Sequence, residues 1–381
     1  MKLRYNLYRI YQVIPHISYS LISNNSELII ALLFGKTRIP LKLKDSEIKF
    51  EFKKDQILCM LNLLKIISFS KNYEINSNGI LSLSFDGIST FEIKLTELTT
   101  TNERLINFLA DAFANSANVI PKSKLSKYIF TDRDFIIDEI DGEPIIECFN
   151  GVKFFVKYSN YPIVETFSLK MHEILPTIPE LKDKIVVDIG ADTGNTALYF
   201  ASKGAQVYAV EIDERRYKII QEHLKINPDL AKRIIPINAA FGSEGEVEFY
   251  SDPLDFMDPS IFKERYEEHI EKAIIKKVKG CTIPSLISEF NIKTIDYLKM
   301  DCKGAEFTLK PDHLEMVENI KIEYMALAKE HKIENLIELF TKSGFKIRLF
   351  KHDSSTRKSF NIGGNIFATK DNLSNFQNQL Y

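Results

Sequence analysis

The sequence has few cysteines, and they stand far apart. Its 381 residues include only four, Cys59, Cys148, Cys281 and Cys302, with no CxxC pair among them. A disulfide framework usually shows several cysteines in a short chain, and a structural zinc site usually shows closely spaced ligand pairs. The cysteine pattern therefore argues against both, and we expect no metal site.

The sequence also lacks a long apolar run. Its most apolar stretch, Ile57–Phe69, has about 13 residues and includes Asn62 and Lys65, whereas a bilayer span needs about 20. The first residues carry positive charge but no apolar core followed by small residues, as a secretory signal would. We therefore expect no membrane span and a cytoplasmic, globular protein.

An excess of positive charge is missing as well. The net charge is −2, and basic and acidic residues number 21 and 21 in residues 1–180, and 29 and 31 in residues 181–381. Proteins that neutralise many phosphates concentrate Lys and Arg on one domain or stripe. Only short basic stretches occur here, such as Lys276, Lys277 and Lys279. This distribution disfavours nucleic acid as a partner without excluding it.

The first 180 residues show the patterns of an α+β structure. Apolar Leu28–Phe34 has strand length, and Ile48–Phe52 alternates apolar and polar residues as a half-buried strand does. Helical spacing predicts helices over Gln56–Phe69 and Arg104–Ala114. A hairpin with its turn at Asp86-Gly87, and a later meander, are predicted from strands at Leu81–Phe85, Phe91–Leu95, Ile136–Ile140, Pro144–Cys148 and Val152–Tyr158. We expect an N-terminal α+β domain over residues 1–120 and a connecting β-meander and helix over residues 121–180.

From residue 181 short aliphatic strands alternate with helical segments. This alternation is typical of a parallel sheet covered by helices on both faces. The predicted strands are Ile185–Ile189, Gln206–Ile212, Ile234–Asn238, Ile295–Met300, Ile320–Leu327, Phe345–Phe350 and Asn365–Thr369. The predicted helices are Asn195–Lys203, Glu214–Lys225, Ile333–Ser343, residues 284–290 and part of 260–278. We expect a doubly wound, seven-stranded, Rossmann-like α/β sheet over residues 181–381, with ligands at the carboxyl ends of its strands.

A glycine-containing loop joins the first of these strands to its helix. The strand ends at Asp188, and the chain passes through Gly190 and Gly194 before the helix begins at Asn195. Small residues let the backbone approach a ligand closely, and the helix start offers unpaired amides. The loop lacks the G-x-G-x-x-G spacing of a dinucleotide site and contains Asp192, which would repel a pyrophosphate. S-adenosylmethionine has no phosphate but carries an ammonium and a sulfonium, so the acidic loop favours that cofactor over NAD.

Two further strand ends favour the same cofactor. Glu211 ends the second strand 21 residues after Gly190, a spacing at which an acidic side chain meets ribose hydroxyls. Asn238 and Ala239 follow the third strand, where an amide is placed to read an adenine edge and a small residue to pack on its face. The predicted cofactor site comprises Asp188, which would hold the methionine end, with Gly190, Ala191, Asp192, Gly194, Asn195, Thr196, Glu211, Ile212, Asn238 and Ala239.

These segments resemble the FkbM family of methyltransferases. The resemblance rests on VVDIGADTGNTALYFASKGAQVYAVEID, on NAAFGSEGEVEFY, and above all on IDYLKMDCKGAEF at residues 295–307. It covers about residues 150–370 and implies an S-adenosylmethionine-dependent O-methyltransferase acting on hydroxyls of sugars, polyketides and related metabolites. It also implies that Glu165, in the upstream Glu-Thr-Phe segment, closes over the methionine end of the cofactor.

The chain departs from the family pattern in three places. Lys303 stands where the family usually has Glu, and Met325 stands where the fifth strand often ends with His. Thr282-Ile283-Pro284 replaces the frequent Thr-Leu-Asp before the fourth strand. These differences concern the acceptor and the base rather than the cofactor.

The fourth strand brings Asp301 to the same edge of the sheet. Methyl transfer is a displacement at a sulfonium, for which the protein aligns the nucleophile and removes its proton. We predict that Asp301 is the catalytic residue that orients or deprotonates a hydroxyl, with Glu306 in the same rim. Lys303 either pairs with one of these carboxylates or meets an anionic substrate. The structural alternatives are that Asp301 caps a turn and that Glu306 braces the loop by accepting backbone amides. No third ligand for a magnesium ion is evident beside the two carboxylates.

Other side chains and other functions stay open. Glu323 either faces the site or pairs with a neighbouring lysine, and His313 and His331 are interpreted as packing or surface residues. An RNA methyltransferase would use residues 1–150 to recruit its substrate, and a catalytically degenerate cofactor-binding module would account for the departures at Lys303 and elsewhere. We expect a small-molecule or glycan hydroxyl as acceptor, and a homodimer is among the arrangements left open.

Overall fold

The computed structural model describes residues 21–34, 36–44, 46–85, 90–121, 131–158, 161–172, 181–252, 258–266, 273–350 and 360–371. The chain divides into two compact units, Met1–Leu169 and Lys170–Tyr381. The sequence predicts three parts instead, and these boundaries stay a prediction.

The first unit contains helices and three small sheets. Its helices are α1 (Asn25–Leu33), α2 (Ile57–Phe69), α3 (Thr100–Ala114) and α4 (Tyr161–Ile163), which continues as a π-helical segment, Val164–Ser168. Its strands are β1 (Arg38–Lys42), β2 (Lys49–Lys53), β3 (Asn72–Ile75), β4 (Ile80–Ser84), β5 (Thr90–Lys94), β6 (Val119–Pro121), β7 (Phe135–Ile140), β8 (Glu143–Cys148) and β9 (Lys153–Phe155). They form the sheets β1-β2, β3-β4-β5 and β6-β7-β8-β9.

Most of the patterns in this unit produce the predicted elements. The hairpin β4–β5 and the meander β7–β8–β9 are antiparallel, as their alternation and turn residues predict. The turn residues Asp86 and Gly87 lie outside the described residues. The apolar stretch Ile57–Phe69 is the helix α2, and Asn62 on it donates a hydrogen bond to Asn107 of α3 at 2.9 Å.

The predicted strand at Leu28–Phe34 is wrong, because these residues belong to the helix α1. Leu28, Ala31 and Leu32 are buried at the i, i+3, i+4 spacing of a helix, while Ile30 and Phe34 are exposed. An unbroken apolar run carries no period of its own, so the pattern alone cannot separate a buried helix from a strand.

The second unit alternates strands and helices. Its strands are β10 (Ile185–Ile189), β11 (Gln206–Glu211), β12 (Ile234–Asn238), β13 (Ala240–Phe241), β14 (Gly245–Ser251), β15 (Ile274–Cys281), β16 (Tyr297–Met300), β17 (Asn319–Met325), β18 (Lys346–Phe350) and β19 (Gly363–Thr369). Its helices are α5 (Asn195–Ser202), α6 (Glu214–Lys225), α7 (Pro228–Ala231), α8 (Ile283–Phe290) and α9 (Ile333–Lys342), with short 3₁₀ turns at Lys263–Tyr266, Ala305–Thr308 and Pro311–Leu314.

Seven of these strands form one sheet in the order β12-β11-β10-β16-β17-β19-β18. Neighbours from β12 to β17 are parallel, and β19 is antiparallel to both of its neighbours. The strand order reverses between β10 and β16, which is where open α/β sheets leave a crevice for ligands at the carboxyl ends. The mixed α/β class predicted from the sequence is confirmed.

The two faces of this sheet differ at its centre. Ile189, Met300 and Ile322 are register partners on one face and belong to an apolar core with α8 and α9. Asp188, Lys299 and Lys321 are register partners on the opposite face, and each is at most 3% exposed. The sheet therefore buries charged side chains beside the switch point.

The sequence predicts a helix in part of residues 260–278, and no α-helix occurs in the described residues of that stretch, 260–266 and 273–278; residues 267–272 lie outside the described residues. The described part of this stretch forms the 3₁₀ turn Lys263–Tyr266 and the start of β15, which pairs antiparallel with β14. Lys277 of β15 forms an ion pair at 2.7 Å with Glu246 of β14, so the charges of this stretch serve a ribbon rather than a solvated helix face. Among the described residues, no helix is long and apolar enough to cross a membrane.

Candidate active site at the carboxyl edge of the sheet

The glycine loop between β10 and α5 approaches the neighbouring strand closely. Gly190 and Gly194 have φ angles of 78° and 86°, in the left-handed region that glycine favours. A Cβ on Gly190 would overlap the backbone carbonyl of Asp301, which follows β16. The Gly190 and Ala191 amides both donate to the carbonyl of Val210, at 2.9 and 3.0 Å. The loop is thus pinned between β11 and β16 through its backbone.

Asp188 is engaged inside the protein. Thr196 donates its hydroxyl to Asp188 Oδ2 at 2.5 Å, and the Lys299 ammonium lies 2.9 Å from Oδ1. The same ammonium donates to the Gly190 carbonyl at 2.8 Å. Burial alone would lower the pKa of Lys299, but the carboxylates of Asp188 and Asp301 outweigh it and raise that pKa. A methionine ammonium would therefore meet a carboxylate that already has an internal cation.

Lys299 is a residue that the sequence reasoning missed. The sequence feature that could have identified it is a single charged residue inside the otherwise uncharged strand β16, which the parallel sheet buries on both faces. A buried charge in such a strand needs a partner, and the strand ends nearest to it carry the acidic residues.

Asp192 contributes to the loop with both its backbone and its side chain. Its amide donates to Glu211 Oε2 at 2.8 Å, and its carboxylate forms an ion pair with Arg216 at 2.8 Å. The negative charge that the sequence assigns to the cofactor loop is thus offset by Arg216 on α6. The sequence reasoning also missed Arg216, which stands one turn into the helix after β11.

Glu211, at the end of β11, is 3% exposed. Its two carboxylate oxygens accept the amides of Asp192 and Asp213, at 2.8 and 2.9 Å. Burial raises the pKa of Glu211 to about 8, against the lowering effect of the nearby Arg216. Each oxygen keeps a lone pair for one further hydrogen-bond donor.

The third strand end lies beside Glu211. Asn238 donates its side-chain amide to the carbonyls of Glu211 and Ile212, at 2.8 and 3.1 Å. The Ala239 amide donates to the same Glu211 carbonyl at 3.1 Å, and the Ala239 side chain is buried. The donor group of Asn238 therefore holds the loop, and its amide oxygen is the group left for a base edge. That these residues read adenine stays a prediction.

The remaining residues predicted for the cofactor fall into two places. Ala191, Asn195 and Thr196 are buried in the glycine loop and the first turn of α5. Glu165 is half-buried on the π-helical segment of the first unit, and its assignment stays a prediction.

Asp301 follows β16 at the switch point. Its amide donates to the Ile189 carbonyl at 3.0 Å, and its carboxylate lies 2.5 Å from the Lys303 ammonium. Burial raises the pKa of Asp301, but the charges of Lys303 and Lys299 outweigh burial and leave that pKa below its ordinary value. The carboxylate is therefore a good hydrogen-bond acceptor and a weak base.

Glu306 does not share an exposed rim with Asp301, and that prediction is corrected. Its side chain is fully buried. Its two oxygens accept the amides of Cys302 and Gly304, at 2.9 and 2.7 Å. Burial raises the pKa of Glu306 to about 7, against the lowering effect of those amides. Glu306 braces the turn after β16 in the way the structural alternative describes.

Lys303 gathers three carboxylates. Its ammonium lies 2.5 Å from Asp301, 3.8 Å from Glu323 and 4.0 Å from Asp258. Burial would lower the pKa of Lys303, but these acids raise it well above its ordinary value. Glu323, on β17, has a side chain that is 42% exposed, and its pKa is raised first by the charge of Asp301 and then by burial.

A short segment, residues 258–266, contacts both the helix after β11 and the turn after β16. Asp258 lies 3.2 Å from Arg216 and 4.0 Å from Lys303, and Ser260 donates its hydroxyl to the Lys303 carbonyl at 2.9 Å. Arg265 donates to the sulfur of Met325 at 3.6 Å. This segment, missed by sequence reasoning, carries residues that contact the ends of β16 and β17 and the helix after β11.

His313 and His331 pack against aromatic rings, in line with their interpretation as packing or surface residues. His331 stacks on Phe307 with ring centroids 4.5 Å apart, and His313 packs edge-on against Phe241 at 5.9 Å. Burial lowers the pKa of both rings. Within the described ranges, no group of three or more His, Cys, Asp or Glu residues could hold a metal ion.

Several solved methyltransferases have a remotely similar structure. A precorrin-6Y C5,15-methyltransferase of Geobacter metallireducens is 12% identical, covers 50% of this chain and 81% of its own, and gives a TM-score of 0.29. An rRNA methylase of Streptococcus thermophilus is 13% identical, covers 53% of this chain and 95% of its own, and gives a TM-score of 0.35. The tRNA m1G37 methyltransferase of M. jannaschii is 15% identical, covers 92% of this chain and 86% of its own, and gives a TM-score of 0.33. At these TM-scores the likenesses carry no inference about this chain.

Comparison with families is more informative. No curated protein matches the chain. The methyltransferase FkbM domain matches residues 188–346, which begin at Asp188 and include the glycine loop, Glu211, Asn238 and the stretch from Asp301 to Glu306. The resemblance predicted from the sequence is thereby confirmed, and the chain contains a methyltransferase FkbM domain.

Proposed function

We propose that this protein is an S-adenosylmethionine-dependent methyltransferase that methylates a hydroxyl group on a sugar or small metabolite. The observation that carries the proposal is the meeting of three strand ends beside the switch point, where Glu211 and Asn238 contact the glycine loop or one another. The proposal includes a doubly wound sheet in the cofactor-binding domain, residues 181–381. Residues 121–180 would lead into it from a separate domain, residues 1–120.

The residues at this edge fit the cofactor chemically. Gly190 and Gly194 keep side chains out of the loop, and Glu211 keeps acceptor lone pairs for the two ribose hydroxyls. Ile212, Asn238 and Ala239 would hold adenine. Asp188, Asp192 and the start of α5 would hold the methionine end, with Glu165 closing over it. S-adenosylmethionine, when bound, supplies an electrophilic methyl group.

The protein's own part in the reaction is to orient the acceptor and take its proton. Asp301 would accept a hydrogen bond from the acceptor hydroxyl, because Lys303 and Lys299 keep its carboxylate charged. Glu323 is the better proton acceptor, because its pKa is raised and its side chain is partly open. Glu306 would be a positioning residue that holds the turn carrying Asp301.

The ribose role of Glu211 is tested by binding of S-adenosylhomocysteine. We expect Glu211→Ala to weaken binding at least about tenfold, because it removes the acceptor of two ribose hydrogen bonds that are worth about 0.5–1.5 kcal/mol each. The matched control is Glu214→Ala, three residues on, whose side chain is 65% exposed and pairs with Lys218 at the surface. We expect the control to bind within about twofold of the wild type, because an exposed ion pair contributes little. Equal affinity of both variants would show that Glu211 does not hold the ribose.

A second candidate function is cofactor binding without methyl transfer. The observation that favours it is the close ion pair between Lys303 and Asp301, at a position where the resemblance implies Glu. The two functions separate in a transfer assay with isotopically labelled S-adenosylmethionine and a panel of hydroxylated acceptors. Label transferred to a single acceptor would eliminate the non-catalytic reading.

A further inference from the structure

Lys299 occupies an unusual position for a lysine. It lies in β16, at the centre of the seven-stranded sheet, and is 3% exposed. Burying an ammonium is costly unless it is paired and hydrogen-bonded. The described contacts of its ammonium are to the Asp188 carboxylate at 2.9 Å and the Gly190 carbonyl at 2.8 Å.

Both partners of Lys299 belong to the strand-to-loop junction of β10. Asp188 is its register partner on the neighbouring parallel strand, so the two side chains share one face of the sheet. Gly190 is the first glycine of the loop, and it has a φ of 78°. The ammonium therefore links Asp188, near the end of the strand, to the start of the loop, and it fixes the direction of the Gly190 carbonyl.

The neighbouring strand supplies an internal comparison. Lys321 of β17 is the register partner of Lys299, has the same 3% exposure and lies on the same face. Its ammonium donates to the carbonyl of Met171, which is far from the glycine loop in sequence. The two lysines thus share residue type, burial and sheet face, but they donate to different backbone carbonyls.

We infer that Lys299 is a positioning residue that holds the glycine loop in its ligand-binding conformation. The ligand in this inference rests on the proposed function, whereas the effect on the loop does not. The ion pair also offsets the charge of Asp188 beneath the loop, so removing Lys299 alone leaves a buried carboxylate without its cation. Removing both charges restores neutrality but not the hydrogen bond to Gly190.

Hydrogen exchange of the loop amides tests the inference without any ligand. In the wild type the amides of Gly190 and Ala191 donate to Val210, and that of Asp192 donates to Glu211. We expect Lys299→Met to speed their exchange at least about tenfold, while Lys321→Met leaves these three amides within about twofold of the wild type. Unchanged exchange in Lys299→Met, or equal acceleration in both variants, would overturn the inference.

A charge-neutral variant covers the case in which Lys299→Met does not fold. Asp188→Asn/Lys299→Met keeps an oxygen acceptor for the Thr196 hydroxyl and removes both buried charges. We expect this double variant to fold and still to show faster exchange at Gly190 and Ala191 than wild type, because the bond to the Gly190 carbonyl is gone. Wild-type protection of the loop in the double variant would contradict the role of Lys299.

Titration with S-adenosylhomocysteine connects the loop to the proposed cofactor. We expect Lys299→Met to weaken binding at least about tenfold and Lys321→Met less than about twofold. If the wild type binds no S-adenosylhomocysteine, the proposed function fails, while loop exchange still decides the role of Lys299. If the wild type binds it and Lys299→Met binds equally well, the inference fails and the proposed function stands.

Discussion

At the glycine-loop half of the site, made of Gly190–Gly194, Glu211 and Asn238, most contacts run through the backbone. Glu211 accepts two amides, Asn238 donates to two carbonyls, and the loop amides donate to β11. At the β16 half, made of Asp301, Lys303 and Glu323, the charged side chains contact one another instead. Backbone contacts preorganise a site for a fixed ligand, whereas paired charges can exchange partners when an acceptor arrives.

The two halves are therefore held in different ways. The glycines and the strand-end acid Glu211 follow the path of the backbone, whereas an ion-pair cluster such as that around Lys303 can be rebuilt with other residues. Substitutions at Gly190, Glu306 and Lys303 test this difference.

Gly190→Ala should be the most damaging change. The alanine Cβ would meet the Asp301 carbonyl, and its backbone would hold a left-handed φ of 78°. We expect the free energy of unfolding to fall by about 3 kcal/mol. The control Gly245→Ala has a φ of 90° but nothing within 4 Å of the added Cβ, and should lose about 1 kcal/mol.

Urea unfolding followed by circular dichroism measures both glycine variants, since the chain has no Trp for fluorescence. Equal losses in the two variants would show that the close approach of the loop to β16 is not what requires glycine at position 190.

Glu306→Gln should have an intermediate and pH-dependent effect. At low pH we expect the free energy of unfolding to fall by about 2 kcal/mol, because the glutamine NH₂ group would face the backbone amide of Cys302 or Gly304, which is also a donor. The pKa of Glu306 in the folded protein is about 7, above its ordinary value of 4.5, so the stability that this group contributes is fully present below pH 4.5 and is lost as the pH rises through 7. The difference in free energy of unfolding between wild type and variant should therefore become smaller from pH 5 to pH 8.

Burial also raises the pKa of Glu211, to about 8, so the free energy of unfolding declines with rising pH for this group too. This decline is the same in the wild type and in Glu306→Gln, and it cancels in the difference between them. Urea unfolding at several pH values, with the exposed Glu214→Gln as control, measures the gap. A gap that widens with pH would contradict the burial of a raised-pKa carboxyl at Glu306.

The sequence could predict the glycine-loop half because its residues follow strand ends. It predicted that Lys303 pairs with Asp301 or Glu306, and Lys303 contacts Asp301. It could not predict Lys299 as the partner of Asp188, because Lys299 reaches Asp188 across the sheet and a long side chain has many conformations. In the fold, alternating strands such as Ile48–Phe52 were predicted correctly. The apolar run Leu28–Phe34 and the lysine-rich start of β15 were not, since apolar content and charge do not by themselves fix a period.

Lys303→Met should have the smallest effect on stability, about 1 kcal/mol, because the pair with Asp301 is partly exposed. Its informative effect is on titration: the pKa of Asp301 should rise once the adjacent ammonium is removed. Carbon-13 NMR of the side-chain carboxyls measures this, with Lys277→Met, which breaks the exposed pair with Glu246, as control. An unchanged pKa of Asp301 would mean that Lys299, not Lys303, sets the charge of this half.

The proposed S-adenosylmethionine site consists of the glycine loop and Glu211. Isothermal titration of the purified chain with S-adenosylhomocysteine and, separately, with NADH tests it most directly. We expect saturable binding of S-adenosylhomocysteine and none of NADH, because the loop lacks the glycine spacing that a pyrophosphate needs. Binding of NADH, or of neither compound, would contradict it.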